Sequence, residues 1–271
     1  MVAMLRGQAS WETEKDAGTH EMATDVRLLG AFQVTTSRGP VPEAFWRSSR
    51  AKMLFKYLAY RAGTPVSRDQ LMEVLWPDLD PETCQNSLHK AVHLLRQTMT
   101  IALGGDGKEL LEFNNGCYAL RADELRVDTL AFKRAIFDAK WCEQLGDTAC
   151  TCRHYEEAVR LYAGDLLEDD YLVEWAIPER ERLRGDYSLA LRHLATAYRT
   201  EGRLERSAGA YRLLLTVDPC AEDAYLALIE MALAAGRRGE ALRLYQQCKD
   251  ALRRELALSP SAALDALMTR V

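Results

Sequence analysis

The sequence predicts a mostly α-helical protein in two parts: an N-terminal domain of small strands, three helices and a closing hairpin, then an all-α domain of repeated helices. Three observations predict it. From Pro81 to Met99, Leu88, Val92, Leu95 and Met99 recur at helical spacing with Ala91 beside them, while Gln85, Asn86, His89, Lys90, His93 and Gln97 fall largely opposite. Asn115-Gly116 separates two strand-like runs, a strong hairpin signal because both central residues of a tight primed turn need positive φ. Beyond Arg121, small and large residues recur at a spacing of 34, the period of a helix-pair repeat.

Composition sets the frame. With 271 residues, 48% hydrophobic and 28% charged, the chain suits one large or two ordinary globular domains. No apolar run approaches the roughly 18 residues of a membrane span, and the N-terminus lacks a signal-peptide pattern, so no membrane partner and a cytoplasmic location are expected. The net charge of -5 is uneven. Residues 26–121 carry 12 Lys/Arg against 9 Asp/Glu, a net +3, while the segments before and after carry -3 and -5. That excess is a weak sign of a nucleic-acid partner for the N-terminal domain.

In chain order, residues 1–24 mix Gly, Ser, Thr, Glu and Lys without periodicity and are expected to form a flexible tail, with Trp11 unplaced. Val26 to Val34 is rich in residues that suit strands and Ser37-Arg38-Gly39-Pro40 supplies a turn, so a short strand or hairpin opens the domain. Ala51, Leu54, Phe55, Leu58 and Ala59 mark the first helix, ended near Gly63-Thr64-Pro65. Ser67 with Gln70 three residues on forms a capping-box pattern ahead of Leu71, Val74, Leu75 and Trp76, and Trp76 is expected in the core. Asp80-Pro81 caps the third helix. Leu110 to Phe113 and Cys117 to Leu120 then flank the hairpin turn. Strand, three helices, hairpin is the order of a winged helix-turn-helix domain, whose third helix enters the major groove while the hairpin touches the adjoining backbone. We place it at residues 25–122.

Residues 123–271 read as nearly all helix. Ala190, Leu194, Gly202, Ser207 and Tyr211 answer to Ala224, Leu228, Gly236, Ala241 and Tyr245. Small residues let paired helices approach, large ones fill the gap, and glycine makes the turn, as a tetratricopeptide-like (TPR-like) pair requires. Glu157 to Tyr162 nearly repeats Glu240 to Tyr245, marking a less regular third copy. Tyr198, Tyr211, Tyr225 and Tyr245 fit its packing positions.

Several spaced strings resemble one family. Arg50 to Ala59, Thr64 to Leu71, Leu75-Trp76-Pro77-Asp78, Asn86-Ser87-Leu88, Leu95-Arg96 and Gly116 to Leu120 look like the DNA-binding domain of SARP-type bacterial transcriptional activators, itself similar to that of OmpR-type response regulators. Val127 to Phe132, Tyr162 to Leu167, Trp175, Glu179, Arg180 and Leu183 look like the bacterial transcriptional activator domain that follows it in that family. The resemblance covers residues 26–271 in the same domain order.

It implies a DNA-binding transcriptional activator that recognises repeated promoter elements in double-stranded DNA and recruits RNA polymerase, with homo-oligomerisation through the helical repeats as a further expectation. Asn86, His89, Lys90 and His93 fall on groove-facing positions, as does Leu94, where relatives often carry a base. Arg96 divides between backbone contact and an internal ion pair. Ser67 and Arg68 open the second helix, whose free amides suit a phosphate. Arg50 and Lys52 are phosphate candidates, and Asn114 and Asn115 wing candidates. The competing reading is a TPR-type protein-interaction module of a larger signalling regulator, with weak or no DNA binding of its own. Related proteins often carry an ATPase or sensor module in the same polypeptide.

No enzyme is expected, and no cofactor. His89-Lys90-Ala91-Val92-His93 has the spacing of a zinc-peptidase helix, but lysine stands where the general-base glutamate must be and would repel the metal. Gly104 to Glu109 hints at a phosphate loop, yet Ala102 replaces its first glycine and Glu109 its magnesium-binding hydroxyl. Seven cysteines without a secretion signal argue for reduced thiols. Cys142, Cys150, Cys152 and His154 cluster, but without a C-x-x-C spacing, so ordinary helix and loop cysteines are expected there and no metal.

Overall fold

The computed structural model describes residues 24–104, 107 and 109–269. Trp11 and residues 1–23 of the expected tail lie outside the described residues, as do Gly105, Asp106 and Lys108 of the glycine-rich turn. Thr24, assigned above to the tail, belongs instead to the first strand, where its backbone lies opposite Leu125 and it is 1% exposed.

The elements follow in order: β1 (Thr24–Arg27), β2 (Gln33–Thr36), β3 (Gly39–Pro40), α1 (Ser49–Tyr60), β4 (Val66–Ser67), α2 (Arg68–Leu75), α3 (Pro81–Leu103), β5 (Leu111–Asn114), β6 (Cys117–Leu120) and β7 (Leu125–Val127). Helices follow: α4 (Asp128–Gln144), α5 (Thr148–Leu161), α6 (Ala176–Thr200), α7 (Leu204–Val217), α8 (Glu222–Ala234), α9 (Arg238–Leu256) and α10 (Ala262–Met268). They cluster into two compact units. Of the described residues, one takes 24–134 together with Leu161–Arg180, and the other takes Ala135–Arg160 and Glu181 onward.

In the first unit Ser67 and Asp80 cap their helices where the sequence puts them, and Ser48 caps α1 as well. Ser48 accepts a hydrogen bond from the Ala51 amide, Ser67 from Gln70, and Asp80 from Thr83 with Pro81 at the first helical position. The Gln70 side chain donates to the Tyr57 hydroxyl. α3 buries Cys84, Leu88, Ala91, Val92, Leu95 and Met99, three or four residues apart, and runs to Leu103. Trp76 is buried where α2 ends.

Two small sheets bracket these helices. β4, β6 and β5 pair antiparallel, with Asn114 opposite Cys117 and Asn115-Gly116 at φ 50° and 79° between them, a two-residue primed turn. A Cβ at Gly116 would meet nothing within 4 Å, so Gly116→Ala isolates the conformational cost of positive φ. We expect a loss of about 1 kcal/mol in urea unfolding.

The other sheet runs β3-β2-β1-β7, and here the chain departs from a simple opening hairpin: β7 lies parallel to β1, Val26 opposite Val127. Immediately after β7, the Asp128 carboxylate accepts the amides of Leu28 and Leu29 at 2.9 Å and Thr129 at 2.7 Å. Burial pushes its carboxyl up to about 6, against the three amides that favour the anion.

Leu161–Arg180 completes this unit. The Leu167 amide donates to the Leu28 carbonyl and the Gly30 amide to the Asp165 carbonyl, at 2.8 and 2.9 Å. Lys56, 2% exposed, pairs with Asp170; burial lowers its pKa and Asp170 pulls it back up. Trp175 packs edge-on against Tyr57 and tilted against Tyr60, whose hydroxyl bonds Glu179. Leu161–Arg180 thus packs into one compact unit with residues 24–134, supplying an acid for the buried lysine and an indole for the tyrosines.

The second unit bears out the repeat pattern. Ala190, Leu194, Ser207, Ala224, Leu228 and Ala241 are buried, and Gly202 and Gly236 take φ of 74° and 71° at the turns. Ser207 donates to the Ala195 carbonyl at 2.8 Å, so its hydroxyl is satisfied inside the helix contact. Tyr225, Ile229, Cys248 and Leu252 form the α8–α9 core, which Leu264 of α10 closes. Cys142 and Cys150 are joined as a disulfide across the α4–α5 turn, which corrects the expectation of reduced thiols for this pair. Cys84, Cys117, Cys152, Cys220 and Cys248 are free. Among the described residues, no helix is long and apolar enough to cross a membrane.

Candidate nucleic-acid interface

α3 presents Asn86, His89, Lys90 and His93 as exposed side chains at positions i, i+3, i+4 and i+7. The same periodicity that sends Leu88, Val92 and Leu95 inward puts these four on one outer stripe. Seven residues of helical rise span ~10 Å, about three base steps along a groove. The stripe offers amide, imidazole and ammonium groups, which can donate to or accept from base edges and phosphates. His93 Nε2 lies 2.9 Å from the Gln97 side-chain amide, one turn later, which steadies the imidazole. Leu94 is half-buried beside them.

The entrance to α3 is acidic. Asp80 caps it and Glu82 sits in its first turn, and the Thr83 amide holds the Asp80 carboxyl below the usual range. A phosphate is therefore repelled from this helix end, and any contact falls further along, where the stripe begins.

The wing and α2 meet beside this face. The Arg68 amide donates to the Gly116 carbonyl at 3.1 Å, and the Arg68 guanidinium lies 5.9 Å from the Phe113 ring, which packs on Tyr118. Arg68, Asn114 and Asn115 are exposed, while Ser67 is half-buried and its hydroxyl is occupied as a cap. The wing's base is electronegative: Arg121 faces Glu109, Glu112, Asp123 and Glu124 within 4.0 Å. The turn, and not the base, is the part of the wing suited to approach a phosphate backbone.

The remaining candidates have partners inside the protein. Arg50 donates to the Leu75 carbonyl at 2.7 Å, closing the end of α2, and lies 6.0 Å from the Trp76 ring. Lys52 pairs with Glu43 at 2.8 Å and sits over Phe32. Arg96 donates to the Leu111 carbonyl at 3.3 Å, tying α3 to the wing. Sequence reasoning did not single out Phe113; an aromatic on a wing strand, two residues before the Asn115-Gly116 turn, is the signal that could have found it.

A helix with a polar outer stripe beside a wing, in one chain with stacked helix pairs, defines a transcriptional regulator in class. Residues 127–271 match the bacterial transcriptional activator domain. The chain belongs to that family, as a regulator of the SARP type. It is 28% identical over 225 residues to the regulatory protein DnrI of Streptomyces peucetius, covering 80% of this chain and 82% of that one. It also resembles the structure of Mycobacterium tuberculosis EmbR in complex with a low-affinity phosphopeptide, at TM-score 0.70 and 25% identity. That likeness covers 92% of this chain and 65% of the EmbR chain, so the chain spans about two thirds of that neighbour.

Proposed function

We propose that the chain is a sequence-specific DNA-binding transcriptional activator, non-catalytic and cytoplasmic, that binds repeated promoter elements and contacts RNA polymerase. In this reading residues 25–122 engage the duplex, and residues 123–271, the bacterial transcriptional activator domain, make protein contacts, self-association among them. The observation that carries it is the exposed stripe of Asn86, His89, Lys90 and His93 beside the Arg68–Phe113 contact with the wing. Those four side chains read base edges, while the Arg68 side chain and the wing tip at Asn114 and Asn115 meet the backbone. The helical unit supports a protein partner: Phe137, Trp141 and Leu145 follow at four-residue intervals on and just after α4 and are 60%, 56% and 68% exposed.

The engagement of Arg50, Lys52 and Arg96 within the protein favours a second reading, a TPR-type interaction module with weak or no DNA affinity. Fluorescence anisotropy against a promoter duplex separates the two. The first predicts affinity that falls roughly tenfold or more for about a fourfold rise in salt, as phosphate contacts release counterions. Salt-insensitive or absent binding selects the second.

A further inference from the structure

We propose that Cys142, Cys150 and His154 form a zinc site that exists when the two thiols are reduced and closes when they join as the disulfide. One ligand atom from each of the three lies within 4.8 Å of the others. Cys142 is buried at the end of α4, and Cys150 and His154 are half-buried on one face of α5, four residues apart. That i, i+4 pair meets a sulfur arriving from the preceding helix, a geometry the sequence alone could not supply. Two thiolates and an imidazole make three ligands of a tetrahedral zinc centre, with the fourth position left to water.

Backbone hydrogen bonds at the α4–α5 turn also hold this arrangement. The amides of Leu145 and Asp147 donate to the Cys142 carbonyl, each at 3.1 Å, and the Cys150 amide donates to the Asp147 carboxylate at 2.9 Å. Gly146, at φ 72°, makes the turn between the helices. Zinc–thiolate bonds of about 2.3 Å set tetrahedral sulfurs ~3.8 Å apart. The Cα–Cα separation of 5.8 Å is compatible with that spacing as well as with a disulfide. The two states share a backbone and exclude each other, because each sulfur bonds either to zinc or to its neighbour.

Their exchange is a balanced two-electron step. Hydrogen peroxide takes two electrons from the two zinc-bound thiolates; the S–S bond forms, both Zn–S bonds, the Zn–N bond to His154 and the O–O bond break, two protons are taken up, and two waters form as the zinc ion leaves.

Zinc retention by the full chain tests the site. The protein is reduced with a phosphine under anaerobic conditions, loaded with zinc, desalted, and assayed for bound metal and free thiols. Wild type is expected to retain a single zinc, to show thiolate-to-metal charge transfer when cobalt replaces it, and to release the metal on peroxide treatment with loss of two free thiols. Cys142→Ser and His154→Ala should each lower retention by roughly tenfold or more, while Cys152→Ser should retain it. His154→Ala is decisive: a disulfide does not need the imidazole, and circular dichroism establishes that this variant folds. Reduced wild type that holds no zinc, or His154→Ala that holds as much as wild type, would overturn the proposal.

Discussion

Replacing Lys90 and His93 together by alanine is expected to weaken binding to a promoter duplex by roughly tenfold or more, since a good pairing between a side chain and a base edge is worth about 1–3 kcal/mol. Both side chains are exposed on α3, so the core residues Leu88, Val92 and Leu95 keep their packing and helicity should not change. The single variants should differ in kind. If Lys90 meets a phosphate, Lys90→Ala weakens all sequences alike and flattens the salt dependence; His93→Ala, which also removes the partner of Gln97, relaxes the preference at one base position. Unaltered affinity of the double variant in a gel-shift titration would remove these residues from the interface.

Asp128→Ala should cost about 2–4 kcal/mol of stability in the first unit, because the amides of Leu28, Leu29 and Thr129 are left without their acceptor at the junction of β1, β7 and α4. The effect should depend on pH with a definite sign. The carboxyl titrates at about 6 in the folded protein, above its ordinary 3.8. Between those values the folded state holds a proton that the unfolded state has released, so this group's contribution falls as pH rises through the window. Urea unfolding should therefore show a larger difference between wild type and Asp128→Ala at pH about 5 than at about 7. A difference that grows toward neutral pH would mean that the three amides, and not burial, govern this carboxylate.

What could be read from the sequence was local. Ser67 with Gln70, Asp80-Pro81 and Asn115-Gly116 each fix their turn or helix end through neighbours a few residues away, so the three helices and the wing were legible. The repeat was legible for the same reason: Ala190 and Ala224, or Gly202 and Gly236, see equivalent surroundings. What escaped was long-range. β7 is three residues long and pairs with β1 about a hundred positions earlier, and no local pattern announces such a partner. Nor did composition show that Asp170 and Glu179 would serve Lys56 and Tyr60.

The candidate interface divides along the same line. The stripe on α3 follows from periodicity. The engagements of Arg50 with Leu75, Lys52 with Glu43 and Arg96 with Leu111 depend on which groups the fold brings within reach of a long side chain. Cys142 and Cys150 met for that reason too: the eight-residue separation carries no motif, and the α4–α5 turn brings them together.

Selection of bound duplexes from a random pool, using the intact chain at moderate salt, tests most directly whether the α3 stripe reads DNA. Recognition through that stripe predicts enrichment of a short motif recurring at a fixed spacing, with the enrichment abolished when Lys90 and His93 are both alanine. A pool that emerges without sequence preference, or the same motif enriched by the double variant, would contradict it.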